Sequence, residues 1–351
     1  DMSYAPASAR LLPAFSDDWR RWVAENLMLD VGPDAVVATL VANGFPAAQA
    51  TREVQQALAS PYLAGARQGR SILHNRLAKR DWLLDIYRKL NRQRDGEGSG
   101  AIERRHRLTR DEFYQQYYLA NRPVIISGML DNWPAMHRGN FDYLRQHFGE
   151  REVEVQMGRN RDVNYEINSP QHKQLIRFGD YIDMVLLAGN SNDFYMTANN
   201  SSRNKQALRE LWQDIELIPE YLDPDSEQDG FFWFGPAGTR TPFHHDLTNN
   251  FLAQVMGRKH VKLIPACELA NVYNHKHCYT PVDGSTLDFE RFPLLREVQL
   301  LECILEPGEL LFLPVGCWHY VEGLDPSISM SFINFRLDND YASFYRTYQA
   351  V

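Results

Sequence analysis

The sequence predicts an α+β protein in which a small all-α N-terminal domain precedes a double-stranded β-helix of the jelly-roll type with flanking helices. Two observations support this fold class. The first ninety or so residues carry apolar side chains at helical spacing, with Pro and Gly at the expected helix ends. From Phe231 onward, short β-prone runs separated by turn residues follow one another closely, which is typical of double-sheet jelly rolls.

Length and composition limit the possible functions. A chain of 351 residues suits a large catalytic domain with a smaller addition. The hydrophobic content of 44% and charged content of 23% are those of an ordinary globular protein. The net charge of −8 argues against nucleic acid as a partner of the whole surface. The chain has no apolar run of about 18 residues, so we expect no membrane partner.

The cysteines indicate a reducing environment. None of the four belongs to a C-x-x-C pair, which argues against a structural zinc site. Reduced thiols in a cytoplasmic protein are therefore expected. The four residues are Cys267, Cys278, Cys303 and Cys317.

Residues 1–94 are predicted to form a helical domain. The first helix covers Asp18 to Leu29, the second opens at Pro33 and closes at Gly44, and the third runs from Pro46 to Pro61. An Asn-Gly-Phe corner gives a weak resemblance to ubiquitin-associated three-helix domains, and a generic helical bundle is the alternative. The predicted buried seam consists of Leu40, Val41, Phe45, Ala50, Val54 and Leu58.

A longer helix is predicted from Ser71 to Arg92, followed by a Gly-rich linker over residues 95–100. Between Arg76 and Arg110 the chain has eleven Lys or Arg and five Asp or Glu, a local excess of six positive charges. This stretch is either a solvated helix face or a docking surface for an acidic partner.

The second predicted domain spans residues 101–351. A capping box, Thr109 to Glu112, announces its first helix, and another helix is capped by Asn140 and stopped by Gly149. A further helix follows Phe178. The predicted strands are Pro123–Ser127, Glu152–Met157, Phe194–Thr197, Phe231–Phe234, Thr241–Asp246, Asn250–Met256, Lys259–Ile264, Leu310–Pro314 and Ile328–Phe335.

The segment Thr241-Pro-Phe-His-His-Asp246 carries the strongest chemical signal. Side chains two residues apart in a strand point to the same face, so His244 and Asp246 are expected to project together. A third ligand, expected to be a distant His on a later strand, would complete the two-His, one-carboxylate triad of non-haem Fe(II) oxygenases. His319, in the predicted turn after the Leu310–Pro314 strand, supplies it. His244, Asp246 and His319 are therefore the predicted metal ligands and catalytic centre.

Other potential ligands are less well placed. His245 points away from His244 in a regular strand, and it could coordinate a metal only if the strand were bulged. His275, His277 and Cys278 resemble a metal cluster in composition. They lie in a Tyr/Asn/Pro-rich segment without a carboxylate at strand spacing, so a surface loop is the preferred interpretation. Cys317, next to the third ligand, is expected to pack as a small apolar group.

Several motifs in the correct order resemble those of the JmjC (cupin-like) oxygenases, among them the asparaginyl hydroxylase of the hypoxia-inducible factor and its bacterial relatives. The resemblance covers about residues 105 to 337. Its motifs are Arg122-Pro-Val-Ile-Ile-Ser-Gly with Trp133-Pro, Thr241-Pro-x-His-x-Asp246, Asn250-Phe-Leu-Ala-Gln-x-x-Gly-x-Lys259, Asp288-Phe-Glu-Arg-Phe-Pro293, Pro314-x-x-x-Trp-His319 and Asn334-Phe335.

The resemblance implies a site for 2-oxoglutarate. Lys259 shares a strand face with Val261 and Leu263, and a buried ammonium needs a partner, which the family provides as the C5 carboxylate. Alternatively, strand twist lets Lys259 reach solvent. By the same resemblance, Tyr195 and Thr241 assist that carboxylate.

Two asparagines match positions near the metal-chelating end of 2-oxoglutarate. Asn334 shares a face with Ile328, Met330 and Phe332, where a polar amide should have a specific role. Asn250 is its counterpart at the start of another strand. For Asn250, a purely structural role in tying the sheet together is the alternative.

The resemblance also implies the reaction. Fe(II), 2-oxoglutarate and dioxygen would hydroxylate a C–H bond with release of succinate and CO2, the protein supplying geometry and exclusion of water. A peptide or protein side chain is the preferred substrate. N-methyl-lysine demethylation and tRNA-base hydroxylation are alternatives within the family, and a non-catalytic metal-binding scaffold is the alternative of another class.

Two departures limit the transfer from the asparaginyl hydroxylase. Only seventeen residues follow Asn334, whereas that enzyme continues into helices that form its dimer, so a homodimer stays open. Arg336 replaces a substrate-facing aromatic residue, so the target need not be asparagine. The N-terminal helices are expected to recruit substrate or, alternatively, to stabilise the fold.

Overall fold

A computed structural model describes residues 15–96, 100–138, 140–198, 201–214, 218–226 and 230–350. The chain forms two compact units that divide between Leu83 and Leu84. The central part of the predicted linker, residues 97–99, lies outside the described residues. Within the described ranges, no helix has both the length and the apolar composition needed to cross a bilayer.

The N-terminal unit is built from helices around one small core. The helices are α1 (Asp17–Met28), α2 (Pro33–Ala42), α3 (Ala47–Ala59) and the first part of α4 (Pro61–Asp95). The core consists of Phe15, Val23, Leu27, Val36, Leu40, Phe45, Ala50, Val54 and Leu63. The predicted seam is wrong at Val41, which is 41% exposed because it neighbours the buried Leu40 and falls on the other face of the helix.

Helix α4 is longer than predicted. Pro61 is predicted to end the third helix, but it is the first residue of α4. Proline is tolerated there because the N–H groups in the first turn of a helix have no hydrogen-bond partner within the helix. The helix ends at Asp95, close to the predicted domain end at residue 94, whereas the two compact units divide twelve residues earlier, between Leu83 and Leu84. The side chains of Leu73 and Leu77 are more than half exposed.

The second unit contains short helices and three β-sheets. Its other helices are α5 (Arg110–Phe113), α6 (Ala135–Arg138), α7 (Phe141–Phe148), α8 (Phe178–Leu187) and α9 (Ser201–Ala207). Its strands are β1 (Arg104–His106), β2 (Val124–Ser127), β3 (Glu152–Met157), β4 (Lys173–Arg177), β5 (Phe194–Tyr195), β6 (Phe231–Gly235), β7 (Arg240–His244), β8 (Asn250–Met256), β9 (Lys259–Ile264), β10 (Leu301–Leu305), β11 (Leu310–Leu313), β12 (Trp318–Gly323) and β13 (Ser327–Phe332).

Two of these sheets form the jelly roll. The larger sheet has the strand order β1-β2-β11-β8-β13-β6, and the smaller has the order β10-β9-β12-β7. All their pairs are antiparallel except β1 with β2. A third sheet, β4-β3-β5, brings Tyr195 beside Gln156. This double-sheet core with surrounding helices confirms the predicted fold class.

The apolar core between the two sheets supports the functional site. Leu252 and Leu311 from the larger sheet pack with Val261 and Leu263 from the smaller one. The opposite face of the larger sheet carries Phe251, Phe312 and other buried aromatic residues that pack against the helices. Both faces of the larger sheet are therefore covered, which holds its strands rigidly in register.

Strands β3, β8 and β9 have the predicted bounds, but two strands near the C-terminus were missed. Leu301–Leu305 alternates buried and exposed residues, a pattern that indicates a strand. The expected turn ends at Cys317, before His319, and β12 begins at Trp318, so His319 lies on a strand, as a third ligand on a later strand requires. The aromatic and β-branched run Trp318-His-Tyr-Val was the overlooked signal.

Candidate metal centre and co-substrate cavity

Two histidines meet on neighbouring strands of the smaller sheet. His244 ends β7, and His319 lies directly opposite it in β12. Their ring centroids are 4.2 Å apart. Antiparallel pairing therefore brings together two imidazoles that are 75 residues apart in the chain.

Asp246 completes the group, although it lies beyond the end of β7. Its Oδ1 is 3.6 Å from His244 Nε2, and its Oδ2 is 3.6 Å from His319 Nε2. One ligand atom from each of the three residues lies within 4.8 Å of the others. Ligand bonds of about 2 Å to a divalent transition metal fit this spacing. We refer to these three residues as the metal triad.

Backbone carbonyl groups fix the protonation of both imidazoles. His244 Nδ1 lies 2.8 Å from the carbonyl oxygen of Pro242, and His319 Nδ1 lies 3.0 Å from that of Cys317. A carbonyl oxygen only accepts hydrogen bonds, so each Nδ1 donates a proton to it. Each Nε2 then faces Asp246 and is the ring nitrogen that would coordinate a metal ion.

The electrostatics of the triad favour a cation. Burial would raise the pKa of Asp246, but the hydrogen bond from His244 and the charges of both histidines hold it well below its usual range. Burial, reinforced by His244, lowers the pKa of His319 to about 4. Burial also opposes protonation of His244, yet the hydrogen bond and charge of Asp246 raise its pKa to about 9. The site thus attracts one positive charge, which a metal ion would supply.

The other predicted candidates take different positions. His245 Nδ1 lies 3.0 Å from the backbone oxygen of Asp246, and its ring packs edge-on against Trp318, at 4.9 Å. His275 is exposed, and His277 contacts the hydroxyl of Tyr345. In the described part of the chain, no second group of three such ligands is close enough to hold a metal ion.

A cavity of about 300 Å³ extends from the metal triad between the two sheets. Four of the five predicted 2-oxoglutarate residues line it, namely Tyr195, Thr241, Asn250 and Lys259. Apolar walls come from Leu252, Leu313, Val321 and Ile333. The structure therefore brings the predicted ligands and most of the predicted co-substrate residues into one space.

Lys259 is buried in this cavity with 2% of its surface exposed, so it does not reach solvent. Its Nζ donates a hydrogen bond to the Tyr195 hydroxyl over 3.0 Å. No carboxylate forms an ion pair with Lys259 in the ranges that the structure describes. A buried ammonium held only by a phenol retains the capacity to bind an anion.

Asn250 connects the cavity to the metal triad. Its Nδ2 donates to Asp246 Oδ2 over 3.4 Å. Its Oδ1 is buried and has no hydrogen-bond partner among the described residues. This amide can therefore orient the carboxylate ligand and still accept a hydrogen bond from a bound molecule.

The structure does not bring Asn334 to the cavity. Ser331 and Ile333 line the cavity, whereas Met330 and Phe332 lie in the helix-covered core, and Asn334, which follows the end of β13, does not line the cavity. Its Nδ2 donates to the backbone oxygen of Asp223 over 3.2 Å. Asn334 thus ties the end of β13 to a neighbouring segment.

Several cavity residues were not predicted from the sequence. Trp233 donates from Nε1 to Ser331 Oγ over 2.9 Å across the larger sheet. Tyr279 forms a bridge with His244, which places Cys278 and Tyr279 at the cavity. Glu166 enters from the segment after β3. Strand alternation could have indicated Trp233 and Ser331, whereas no periodic signal marks the loop residues.

Comparisons with known proteins agree with the fold. A model of the cupin-like domain matches residues 110–340. The lysine-specific demethylase JMJ30 of Arabidopsis thaliana is 34% identical over 238 residues, covering 66% of this chain and 54% of the relative. Lysine-specific demethylase 8 of Xenopus tropicalis is 32% identical over 241 residues, covering 66% and 52%.

A relative with lower sequence identity has a different name. The tRNA wybutosine-synthesizing protein 5 of Gallus gallus is 25% identical over 230 residues, covering 61% of this chain and 70% of the relative. The chain spans about half the length of the two demethylases that it matches. The match of the cupin-like domain across most of the second unit shows that this chain belongs to the cupin-like JmjC oxygenase family.

Proposed function

We propose that this protein is an Fe(II)- and 2-oxoglutarate-dependent oxygenase that hydroxylates a C–H bond of a peptide or protein side chain. The observation that carries the proposal is one cavity that contains both the metal triad and the buried, ion-pair-free Lys259. Two neutral imidazoles and one carboxylate form the donor set that suits non-haem Fe(II) and leaves further coordination positions open.

The two ends of the cavity suit the two ends of 2-oxoglutarate. Lys259 and Tyr195 offer an ammonium and a hydroxyl to the distal carboxylate, with the Thr241 hydroxyl lining the same space. Asn250 orients Asp246 at the metal end. When bound, the metal and 2-oxoglutarate supply oxidising power from dioxygen by oxidative decarboxylation to succinate and CO2.

The protein's own contribution is placement and exclusion of water. The Pro242 and Cys317 carbonyl groups keep protons on the Nδ1 atoms of the two histidines, so each Nε2 is left for the metal, which would replace the proton that His244 otherwise shares with Asp246. The apolar walls formed by Leu252, Leu313 and Val321 limit water beside the reacting groups. A pocket with fixed and partly apolar walls would direct oxidation to the substrate and away from the protein.

A groove beside the cavity supports a peptide or protein substrate. It has a volume of about 510 Å³ and shares Glu166 and Tyr279 with the cavity. Tyr165, Arg240 and Tyr320 line its other parts. An extended segment lying in this groove would present one side chain to the metal triad past Glu166 and Tyr279.

Glu166 favours a second candidate function, demethylation of N-methyl-lysine. Its half-buried carboxylate forms no ion pair with a basic side chain of the described chain, and it would attract a cationic target. The names of two relatives point the same way, since both are lysine-specific demethylases. Hydroxylation of an N-methyl group gives an unstable hemiaminal that loses formaldehyde, so the same site could serve both outcomes.

Two experiments test the proposal. Succinate formation from 2-oxoglutarate with Fe(II) and dioxygen, without substrate, separates an enzyme from a metal-binding scaffold, which would form none. Mass spectrometry of candidate peptides then separates hydroxylation, which adds one oxygen, from demethylation, which removes a methylene with release of formaldehyde. The same assay on tRNA tests the base-hydroxylase alternative, against which the net charge of −8 argues.

A further inference from the structure

Arg159 is a buried cation beside the cavity that the proposed reaction does not yet use. It lies in the single-turn 3₁₀ helix Arg159–Arg161 that follows β3, and only 1% of its surface is exposed. Its guanidinium carbon is 4.5 Å from the ring centre of Tyr165 and 5.2 Å from that of Tyr195. The charge is therefore stabilised partly by two aromatic rings.

The hydrogen bonding of Arg159 is incomplete. Nη2 donates to the backbone oxygen of Arg240 over 2.8 Å. Nε and Nη1 are buried without a hydrogen-bond partner among the described residues. Within the same ranges, no carboxylate lies at ion-pair distance from Arg159. A buried guanidinium with unsatisfied N–H groups and no counter-ion lowers the stability of the fold. We therefore expect Arg159 to contribute to function.

Arg159 contacts the supports of two co-substrate residues. It packs on the ring of Tyr195, and it holds the carbonyl group of Arg240, the residue before Thr241. Lys259 lies on the same tyrosine, with its Nζ 3.0 Å from the hydroxyl and 5.7 Å from the ring centre. Two buried cations therefore share Tyr195, and neither has an acidic partner in the described chain.

We propose that Arg159 is a positioning residue that makes the cavity selective for 2-oxo dicarboxylic acids. It fixes the Tyr195 ring and the Arg240–Thr241 backbone so that both hydroxyls meet the distal carboxylate, and its charge adds to that of Lys259. This inference rests on the proposed function, because it assigns the Tyr195 end of the cavity to that carboxylate. A residue that only filled space would affect all ligands of the site alike.

Two ligands separate these roles in the full-length protein with Mn(II) in place of iron, so that no turnover occurs. 2-Oxoglutarate carries the distal carboxylate, and 2-oxobutanoate has the same metal-chelating end without it. We expect Arg159→Gln to raise the Kd of 2-oxoglutarate about tenfold. The Kd values of 2-oxobutanoate and of Mn(II) should stay as in the wild type. Arg161→Gln, an exposed arginine on the same turn, is the matched control and should change none of these constants.

A second variant keeps the test decisive if Arg159→Gln does not fold. Arg159→Lys retains the charge but loses the planar guanidinium, and it should weaken 2-oxoglutarate binding less than Arg159→Gln does. Unchanged 2-oxoglutarate affinity in both variants, or an equal loss for both ligands and for Mn(II), would overturn the inference. Failure of the wild type to bind 2-oxoglutarate would instead overturn the proposed function.

Discussion

His319 of β12 lies directly opposite His244 of β7, and their rings are 4.2 Å apart with both Nδ1 atoms bound to backbone carbonyl groups. The two histidines of the metal triad are thus held by a strand ladder and by backbone hydrogen bonds, and Asp246 follows two residues after β7. Removing one ligand should consequently disturb binding far more than folding.

We predict that His244→Ala, Asp246→Ala and His319→Ala each reduce Fe(II)-dependent succinate formation below detection. Two remaining ligands cannot hold the ion in a working geometry, while the ladder and the surrounding core remain. Mn(II) titration measures the loss of binding, and thermal melting checks the fold. His245→Ala is the matched control, because this ring packs on Trp318 and faces away from the triad. Wild-type turnover in any triad variant would refute the assignment.

Lys259 gives the second prediction. Lys259→Met should raise the Kd of 2-oxoglutarate at least tenfold, because a charge-assisted contact contributes about 1.5–3 kcal/mol and about 1.4 kcal/mol corresponds to a factor of ten. Affinity for Mn(II) should remain, since Lys259 is no ligand. Isothermal titration in the presence of Mn(II) measures both constants.

Lys262 supplies the control for Lys259. It lies on the same strand, is also buried, and donates from Nζ to the Gly284 carbonyl over 2.7 Å, outside the cavity. Lys262→Met should lower the melting temperature and leave 2-oxoglutarate binding unchanged. Equal effects of the two substitutions on binding would mean that Lys259 is only structural.

The two asparagines allow the third prediction. Asn250→Ala should weaken Mn(II) and 2-oxoglutarate binding, because it removes the hydrogen bond to Asp246 inside the cavity. Asn334→Ala should leave both affinities unchanged and cost about 1 kcal/mol of unfolding free energy through loss of its bond to the Asp223 carbonyl. A large loss of 2-oxoglutarate affinity in Asn334→Ala would show that Asn334 has the role implied by the family resemblance, although it does not line the cavity.

Asn334 also shows where sequence reasoning reaches its limit. Strand alternation predicts that Asn334 shares a face with Met330 and Phe332, but β13 ends at Phe332, and the sequence does not tell which face of the strand looks into the cavity. Tertiary packing decides this, because Met330 and Phe332 lie in the core under the helices and Ser331 is left facing the cavity. The sequence predicts the strand, but only its place in the folded sheet shows which of its faces lines the cavity.

The grouping of the metal triad could be predicted because sequence motifs mark its three residues. His244 lies in a motif that combines strand spacing with a Pro-x-His-x-Asp pattern, and His319 follows at the start of another β-prone run. Glu166 and Arg159 lie in a segment with little regular structure, where no period indicates a direction. Their positions depend on tertiary contacts, such as the packing of Arg159 between two tyrosines.

Glu166 gives the fourth prediction. Glu166→Gln should leave succinate formation without substrate unchanged. Glu166 does not belong to the metal triad, and it forms no hydrogen bond or ion pair with Lys259. The substitution should raise the KM of a lysine- or arginine-containing peptide substrate about tenfold, as expected for loss of one charge-assisted contact. Glu290→Gln, an exposed carboxylate outside the cavity, is the control. An unchanged KM for cationic substrates would exclude Glu166 from their recognition.

The fifth prediction concerns where the N-terminal helices can be removed. Glu268 is only 1% exposed, and Arg88 of α4 donates to it from Nε over 2.8 Å. Arg88 and Arg92 also donate to the Glu297 carbonyl. The last turns of α4 therefore neutralise a buried carboxylate of the second unit, and cutting the chain at residue 94 would leave that charge unpaired.

We accordingly expect two truncations to behave differently. A chain beginning after Leu83 keeps Arg88 and should bind Mn(II) and 2-oxoglutarate like the full-length protein, whereas one beginning after residue 94 should lose about 3 kcal/mol of stability. Urea unfolding of both chains measures this difference, and Arg88→Met in the full-length protein should reproduce much of it. If the chain that begins after Leu83 still hydroxylates the substrate with full efficiency, the deleted N-terminal helices do not recruit that substrate. Insolubility of both truncations would show instead that the helices are required for folding.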